Sequence, residues 1–377
     1  MQQKEQKTFR IGILGATGFI GAPYRQEIRD SGEAEIVALC ARRPELLANA
    51  AAEDGARLAT SNWREVIDHP DVNLVIVATP DALHHEAVMA CAEAEKHLFC
   101  EKPIGINAVE ARAMRDAYVK KPHLCHYVPF WTRYVDVFAR ARDIVKRGDL
   151  GEIKVVFYRW YNPRPAAMPL TWRDDPDLSA AGSIADVGSH AYDTVRWILG
   201  EEAIKVLAHS DTITPAKADL GGINLTEAID WGQAHQLNET NARKGGTPDY
   251  ACAAWEFASG AVGSLVVSHA TYLRKGLAPE LEFHGTEASL GIDRLGGNLT
   301  LSKPDGSSDV IETFPDNGFG NRFKKHVFPA LRRGLATTED IDYPNLEDGW
   351  RVQCFTDAVV RSAKTGVWVN LREVAGV

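Results

Sequence analysis

Near its amino terminus the chain passes from an apolar strand directly into a glycine-rich turn and then into a helical pattern. The strand is Phe9 to Leu14, and the turn reads Gly15-Ala16-Thr17-Gly18-Phe19-Ile20-Gly21. Four more short apolar runs follow, with amphipathic stretches between them: Glu35 to Cys40, Leu74 to Ala78, His97 to Cys100 and Leu124 to Val128. Apolar strands that alternate with helices are typical of a parallel sheet covered on both faces. The sequence therefore predicts a doubly wound α/β domain over residues 1–130.

Beyond this region the chain changes to longer β-rich runs. They extend over Ile153 to Tyr161, Ala251 to Phe257, Ala261 to Ala270 and Glu280 to His284. A hairpin is indicated at Ala258-Ser259-Gly260, because a glycine-containing loop joins two apolar runs there. The pattern predicts a second domain over residues 131–377, of the α+β class with a largely antiparallel sheet. The structure of the Gly- and Asn-rich segment 214–247 is not predicted.

The composition is that of a globular protein, and it excludes several classes of partner. The formal net charge is -9 and no basic run is present, so we expect no nucleic acid partner. No stretch reaches the roughly 20 apolar residues that span a bilayer, and Met1 to Arg10 is polar, so we expect no membrane association. Six cysteines without a C-x-x-C pair are typical of reduced, packed thiols, which makes the cytoplasm the expected location.

The glycine-rich turn has the position and composition of a dinucleotide-binding loop. Glycines at a strand-to-helix turn let the backbone approach a pyrophosphate, whose charge the free N–H groups and the positive helix end then stabilise. Thr17 stands where the middle glycine of G-x-G-x-x-G is expected, and a tight turn without a ligand is the alternative interpretation. The candidate cofactor-binding residues are Gly15, Thr17, Gly18, Phe19 and Ile20.

The end of the second predicted strand bears on the choice of cofactor. An acidic residue at this place binds the ribose 2'-hydroxyl of NAD, but this chain has Ala41-Arg42-Arg43 and no carboxylate. Two guanidiniums suit a 2'-phosphate, since arginine offers a planar fork of charged donors. The residues therefore favour NADP, with NAD as the alternative. A second interpretation is that both arginines only begin a solvated helix.

Two further strand ends carry polar residues. One strand ends in Thr79-Pro80, with His84 close behind, and the next ends in Glu101-Lys102-Pro103. Strand carboxyl ends are where an open α/β sheet binds its ligand. A proline restricts the backbone before it, so Lys102 is held where its ammonium can enter such a site. A strand-terminal lysine taken alone is more often a surface charge, but beside a nucleotide loop Lys102 becomes a catalytic candidate.

The stretch from Ala181 to Leu199 has the pattern of a helix that brings three ionisable residues to one face. Asp186, His190 and Asp193 are spaced at i, i+4 and i+7, within reach of one ligand. A histidine that titrates near neutrality can remove the proton of an alcohol as a hydride leaves, and a nearby carboxylate can orient its ring. The same residues could ligate a metal, but no fourth ligand is evident, so we expect none.

Together these features resemble the Gfo/Idh/MocA oxidoreductases, the family of glucose-fructose oxidoreductase and inositol dehydrogenases. The resemblance rests on the glycine-rich turn, Ala78-Thr79-Pro80 with His84, Glu101-Lys102-Pro103, Asp186-Val187-Gly188-Ser189-His190, and a closing stretch from Leu346 to Ser362. It covers nearly the whole chain, with Thr17 and segment 214–247 as departures. It implies a Rossmann domain followed by a domain for substrate binding and oligomerisation, whose last helix packs back near the first domain.

The resemblance also implies the reaction and the roles of the residues. The chain is expected to be an NAD(P)-dependent dehydrogenase or reductase that acts on CH–OH groups of a sugar, an inositol or a related polyol. In that family pattern His190 is the acid/base, Asp186 holds the substrate hydroxyl or His190, and Lys102 hydrogen-bonds the reacting oxygen. The residues expected to border the cofactor are Thr79, Pro80, His84, Glu101, Lys102, Trp172 and Arg173.

The family further implies a homodimer or homotetramer formed through the antiparallel sheet. Two other functions stay open: a glycosidase whose tightly bound NAD cofactor transiently oxidises the sugar, and a cofactor-binding regulator without catalysis. A net redox change separates a dehydrogenase from the glycosidase. The presence of Lys102, Asp186 and His190 argues against the regulator, because a sensor needs no proton-transfer residues.

Overall fold

The computed structural model describes residues 9–236, 241–316, 318–336 and 342–376, and the chain divides into two compact units. The first unit is formed by Met1–Gly105, Val109–Pro129 and Gly320–Trp350. The second unit is formed by Ile106–Ala108, Phe130–Phe319 and Arg351–Val377. The sequence alone assigns everything after residue 130 to one domain, whereas the structure places Gly320–Trp350 in the first unit.

Within the described residues, the first unit contains a six-stranded parallel sheet in the order β3-β2-β1-β4-β5-β6. Its strands are β1 (Phe9–Leu14), β2 (Ala34–Cys40), β3 (Leu58–Thr60), β4 (Leu74–Val77), β5 (His97–Cys100) and β6 (His126–Tyr127). The helices of this region are α1 (Gly21–Ser31), α2 (Pro44–Asp54), α3 (Trp63–Ile67), α4 (His84–Glu93) and α5 (Ala108–Val119). This order is that of a Rossmann sheet, so the predicted doubly wound fold is confirmed.

The apolar sequence explains the central strands of this sheet. Strands β1 and β4 are almost completely buried, as expected for strands covered by helices on both faces. The edge strand β3 is not predicted, because it is three residues long, is partly exposed and lacks an apolar run. Since the strands are parallel, the loops after β1, β2, β4 and β5 all leave the same edge of the sheet.

The second unit is built on a nine-stranded sheet in the described part of the chain, in the order β16-β15-β14-β13-β7-β12-β11-β8-β17. In chain order the strands are β7 (Ile153–Tyr161), β8 (Ala203–Asp211), β9 (Lys217–Ala218), β10 (Ala242–Arg243), β11 (Tyr250–Phe257), β12 (Val262–Ser268), β13 (Leu281–Gly285), β14 (Ser289–Asp293), β15 (Asn298–Ser302), β16 (Ser308–Thr313) and β17 (Val369–Asn370). All neighbours in the large sheet are antiparallel except β7 and β12, which are parallel. The predicted largely antiparallel sheet is confirmed.

The helices of the second unit include α6 (Asp136–Lys146), α7 (Ser189–Leu199) and α8 (Leu225–Ala234). Helix α8 lies in segment 214–247 and begins with a capping box, in which Asn224 and Glu227 bond each other's backbone N–H. Strands β9 and β10 pair on either side of it. Its buried residues Leu225 and Ala228 pack against Met168. The insertion therefore has its own small core, while residues 237–240 lie outside the described part.

After β16 the chain returns to the first unit. A π-helical turn, Phe323–Val327, leads into α9 (Phe328–Ala336), and α10 (Leu346–Thr365) and α11 (Leu371–Ala375) follow. Phe323 packs against Tyr24 and Phe99 at 5.2 and 5.4 Å between ring centroids. These apolar contacts explain why the segment belongs to the first unit, although its sequence does not reveal which core it joins. Among the described residues, no helix is both long enough and apolar enough to cross a bilayer.

Candidate active site

The glycine-rich turn lies at the carboxyl end of β1, where it leads into α1. Gly15 has a φ of +81°, and a methyl group on it would collide with the carbonyl oxygen of Ala78. The backbone N–H groups of Gly15 and Ala16 donate to the carbonyl oxygen of Cys40 at 3.0 and 3.1 Å. The turn is thus packed against the ends of β2 and β4, and position 15 admits only glycine without strain.

The amino terminus of α1 has the features of an anion-binding site. Ile20, the residue before the helix, makes no side-chain hydrogen bond to it. A methyl group on Gly21 would overlap the carbonyl oxygen of Gly15, so the backbone of the turn folds tightly against the start of the helix. Thr17 and Gly18 are partly exposed beside it, and Phe19 is exposed. A pyrophosphate fits this cradle, because the helix dipole and backbone N–H groups favour negative charge there.

The arginines predicted to select the cofactor follow β2 directly. Ala41 is buried, and its N–H donates to the carbonyl oxygen of Thr60 at 3.3 Å. Arg42 is exposed and Arg43 is half-buried at the start of α2. The place where a Rossmann domain binds the adenosine ribose therefore carries positive side chains and no acid.

His84 is a fully buried residue that links the loops after β4 and β5. Its Nδ1 lies 2.9 Å from the carbonyl oxygen of Pro103, and its Nε2 lies 2.9 Å from that of Thr79. Burial lowers the pKa of His84, so the ring is held neutral and donates to one of the two carbonyls. The ring positions the backbone next to Thr79 and Lys102, and any contribution to cofactor binding would act through that backbone.

Thr79, Glu101 and Lys102 lie at the same sheet edge. The Thr79 hydroxyl oxygen is buried and has no hydrogen-bond partner among the described residues. Burial raises the pKa of Glu101, and the Tyr24 hydroxyl, which donates to its carboxylate, opposes that shift. Lys102 follows Glu101 and is half-buried. An orphaned buried hydroxyl beside a nucleotide cradle fits a site built for a further ligand, such as the nicotinamide end of the cofactor.

Asp186 lies in the second unit, where the predicted helix begins as a π-helical turn, Ile184–Gly188, before α7. Its Oδ2 is 3.2 Å from Arg164 NH2, 3.3 Å from His269 Nε2 and 3.9 Å from Arg173 Nε. Two guanidiniums at these distances favour the ionised carboxylate. Asp186 is therefore an acceptor of hydrogen bonds, and π turns of this kind are frequent at functional sites.

His190 lies on the first turn of α7, four residues after Asp186. Its ring stacks on Trp160, with centroids 6.0 Å apart, and meets the edge of Phe130 at 6.1 Å. The two aromatic rings restrict the orientation of the imidazole. Asp193, which has the same spacing in the sequence, is fully buried and receives two hydrogen bonds from Arg133 at 2.8 and 2.6 Å. Asp193 is thus a structural residue that anchors α7.

Arg173 and Trp172 form a short 3-10 segment, Trp172–Asp174, capped by Thr171. The guanidinium of Arg173 lies over the Trp172 ring, 4.4 Å from its centroid, and also faces Asp186. Among the described residues, no group of three or more His, Cys, Asp or Glu side chains is placed to hold a metal ion.

Arg164 and His269 are contacts of Asp186 that the sequence does not predict. They follow the carboxyl ends of β7 and β12, and the Arg164 N–H donates to the His269 carbonyl oxygen at 2.9 Å. These strands are the parallel pair in the sheet, so their ends lie side by side. Nothing in a single sequence indicates that pairing. Lys102 lies in the first unit, and its catalytic role and those of Asp186 and His190 stay predictions.

Comparison with known proteins gives matches along most of the chain. A family model described as an oxidoreductase family with an NAD-binding Rossmann fold matches residues 9–128, and the GFO/IDH/MocA C-terminal domain model matches residues 138–291. A levoglucosan dehydrogenase of Pseudarthrobacter phenanthrenivorans is 29% identical over 355 residues, which cover 88% of this chain and 88% of that protein. A myo-inositol 2-dehydrogenase of Thermotoga maritima is 26% identical over 372 residues, covering 97% and 100%.

Solved structures are similar over nearly the full length. A levoglucosan dehydrogenase in complex with NADH has a TM-score of 0.80 and 26% identity, covering 96% of this chain and 99% of that one. An oxidoreductase domain protein from Kribbella flavida has a TM-score of 0.83 and 25% identity, covering 97% and 99%.

Proposed function

The chain belongs to the Gfo/Idh/MocA oxidoreductase family, and from this premise we propose that it is an NAD(P)-dependent dehydrogenase or reductase of a sugar, an inositol or a related polyol. The observation that carries the proposal is that Asp186, which faces two arginines, and His190, whose ring stacks on Trp160, lie four residues apart on one helical segment. Relatives named for levoglucosan and inositol support the substrate class.

The first unit binds the cofactor. The turn at Gly15, Thr17, Gly18, Phe19 and Ile20 and the amino terminus of α1 hold the pyrophosphate. Thr79, Pro80, Glu101 and Lys102 would border the nicotinamide, and His84 fixes the backbone of two of these loops. The family pattern also implies that Trp172 and Arg173 would contact the cofactor. The bound nicotinamide supplies the acceptor or donor of the hydride.

The proton is handled by three side chains. His190 takes the hydroxyl proton of the substrate when the alcohol is oxidised and returns it when the carbonyl is reduced. Asp186, held ionised by its arginine neighbours, accepts a hydrogen bond from a substrate hydroxyl and orients it. The ammonium of Lys102 donates to the reacting oxygen and stabilises the negative charge that develops on it.

Within this proposal the preferred cofactor is NADP(H). The support is the absence of an acid after β2, where Arg42 and Arg43 offer two guanidiniums to a 2'-phosphate. A relative solved with NADH shows that the family also uses the unphosphorylated cofactor. The preference therefore depends on these two side chains.

The experiment is a titration of the purified protein with NADPH and NADH, followed by nicotinamide fluorescence. We expect NADPH to bind at least tenfold tighter than NADH. The double substitution of Arg42 and Arg43 by Gln should remove that preference, whereas Arg57→Gln, an exposed arginine paired with Asp71, should keep it. Equal binding of both cofactors by the wild type would overturn the NADP proposal.

A panel of sugars and polyols then tests the reaction through the absorbance of reduced cofactor. Net reduction or oxidation of added cofactor with at least one member supports the dehydrogenase. Turnover of a glycoside without any change in cofactor absorbance would replace it by the glycosidase mechanism, and binding without turnover of either kind would replace it by a regulator.

We also propose a homodimer or homotetramer that forms through the outer face of the nine-stranded sheet, and a location in the cytoplasm. Phe157 and Val262 are 45% and 42% exposed on neighbouring strands of that face. Apolar side chains on an open sheet face are commonly buried by another subunit. None of the six cysteines forms a disulfide bond, which suits a reducing compartment. Light scattering tests the assembly, because a mass of 41.4 kDa would identify a monomer.

A further inference from the structure

A tryptophan of the second unit connects the proposed acid/base to an ion pair at one end of the large sheet. Trp160 lies near the carboxyl end of β7, and its indole stacks on the ring of His190 with the centroids 6.0 Å and the planes 28° apart. The guanidinium of Arg294 lies over the same indole, 4.6 Å from its centroid. The indole therefore has both the imidazole and a cation as neighbours.

The guanidinium over the indole is itself held by a carboxylate. Arg294 Nε donates to Oε1 of Glu280 at 2.7 Å, and the two side chains are 20% and 10% exposed. Breaking a mostly buried ion pair is unfavourable, so this contact restrains both side chains. The backbone of Glu280 belongs to the sheet, because its N–H donates to the carbonyl oxygen of Ile292 at 2.9 Å and its carbonyl oxygen accepts the Arg159 N–H at 2.8 Å. The ion pair is thus anchored in the sheet.

The orientation of the indole matters for proton transfer. A tryptophan side chain has several staggered rotamers, and cation–π attraction favours the one that places the ring against a guanidinium. Since His190 stacks on this indole, the direction of its ring nitrogens depends on the orientation of Trp160. A proton acceptor must lie within hydrogen-bond reach of the hydroxyl, and a displacement of about 1 Å can lower the rate by about 10²-fold.

We propose that Arg294 is a positioning residue for His190. Its guanidinium fixes the orientation of the Trp160 indole, and that indole fixes the ring of His190. Glu280 keeps the guanidinium in place. The role of His190 as acid/base rests on the proposed function, whereas the orientation of its ring is tested by a measurement of its own.

The first test is steady-state kinetics with levoglucosan, myo-inositol and D-glucose as substrates. Arg294→Met removes the charge and should lower kcat about five- to thirtyfold, the factor that corresponds to the loss of a partly buried cation–π contact. KM and the dissociation constant of the reduced cofactor should each change less than about threefold, because proton transfer rather than binding depends on the ring. Arg294→Lys keeps a cation over the indole and should recover most of kcat.

A double variant separates positioning from damage to the fold. Glu280→Gln combined with Arg294→Met removes the carboxylate that Arg294→Met leaves without its partner. The double variant should resist urea better than Arg294→Met, yet its kcat should stay equally low, because the guanidinium is still missing. Full recovery of kcat in the double variant would assign the loss to the buried charge and overturn the proposal.

The control removes a contact of the same kind from the first unit. Arg64 lies over the ring of Trp63, 4.4 Å from its centroid, and its side chain is 54% exposed. Arg64→Met should therefore leave kcat unchanged. An equal loss of kcat in Arg64→Met and Arg294→Met would show that the effect is not specific to the contact with Trp160.

Nuclear magnetic resonance of isotope-labelled histidine rings tests the geometry without a substrate. The signal of His190 is identified by its loss in His190→Gln, and Trp160→Leu defines its position without the ring current of the indole. We expect Arg294→Met to move the His190 signal toward its position in Trp160→Leu, and Arg294→Lys to leave it near the wild-type position. An unchanged signal in Arg294→Met would overturn the proposal, whatever the kinetics.

The two measurements separate this inference from the proposed function. If no substrate supports hydride transfer but the His190 signal moves in Arg294→Met, the dehydrogenase is overturned and the positioning of the ring is kept. If Arg294→Met transfers hydride at the wild-type rate, the dehydrogenase is kept and this inference is overturned.

Discussion

The two units present their candidate binding residues in different ways. In the first unit the candidate residues centre on backbone and a buried neutral group, a glycine turn pressed against strand ends and a histidine whose ring nitrogens contact two carbonyl oxygens, and charged side chains (Arg42, Arg43 and Lys102) stand at the strand ends around them. In the second unit the candidate residues are mainly charged side chains that face one another, with Arg164 and Arg173 around Asp186. Backbone cradles suit a ligand part that many proteins share, such as a pyrophosphate, whereas charged side chains suit a substrate that differs between relatives.

The largest effect is expected from removing the proposed acid/base of the second unit, His190. His190→Ala should reduce kcat by about 10² to 10⁴, because proton transfer by a positioned side chain contributes that much. The dissociation constant for NADPH should change less than threefold, since the cofactor cradle belongs to the first unit. Steady-state kinetics and fluorescence titration measure the two quantities. His209→Ala, at an exposed histidine of the same unit, is the control and should keep full activity.

A normal kcat in His190→Ala would show that this histidine of the second unit does not supply the proton acceptor. A variant that loses cofactor binding instead would show that the division of roles between the units is wrong.

The next effect in size concerns the backbone cradle of the first unit. Gly15→Ala should lower the free energy of unfolding by about 2 to 4 kcal/mol, because it adds a clash with Ala78 to a positive φ. It should also weaken NADPH binding at least tenfold. Gly32 also has a positive φ, but a methyl group added to it would face open space. Gly32→Ala should therefore lower the free energy of unfolding by about 1 kcal/mol and leave cofactor binding unchanged.

Urea unfolding and fluorescence titration of the two variants provide the comparison. If Gly15→Ala and Gly32→Ala changed the free energy of unfolding and the NADPH affinity equally, close packing at the glycine turn would not matter. The proposed difference between the two units would then lose its main support.

The smallest effect concerns His126, a half-buried histidine of the first unit. Burial lowers the pKa of His126 to about 4, and its Nδ1 accepts a hydrogen bond from the Leu346 N–H at 3.2 Å. Between pH 6.5 and 4 the unfolded chain binds a proton that the folded chain does not, so stability falls as the pH falls. From pH 7 to pH 5 this histidine should account for a loss of roughly 2 kcal/mol.

Urea unfolding at both pH values measures the loss. His126→Asn should reduce it by about that amount, whereas His209→Asn should leave it unchanged. The same loss in the wild type and in His126→Asn would place the acid sensitivity elsewhere in the molecule.

Much of the fold follows from local sequence pattern. Strands β1, β5 and β7 have the predicted bounds, and Gly200 ends α7 in a left-handed conformation, as a glycine after a helix should. The π-helical turn around Asp186 is not predicted. Such a turn is an α-helical turn with one extra residue, and over so short a segment the spacing of apolar residues does not distinguish the two.

The candidate site is predictable where a residue belongs to a motif and not where the sheet brings distant loops together. Lys102 and His190 stand in recognisable segments. Arg164 and His269 become neighbours through the parallel pairing of β7 and β12 in an otherwise antiparallel sheet. Such long-range pairings leave no local signal in one sequence.

The return of the chain to the first unit has a consequence for protein synthesis and for domain exchange. Tyr24 and Phe99 are made early, but Phe323, which packs on both, is translated only after strands β7 to β16 of the second unit. A fragment that ends near residue 130 would expose these rings to water, and the Glu27 carboxylate would lack the Arg322 guanidinium. A transplantable cofactor module from this protein must therefore be assembled from two separate stretches of chain, with Gly320–Trp350 carried along.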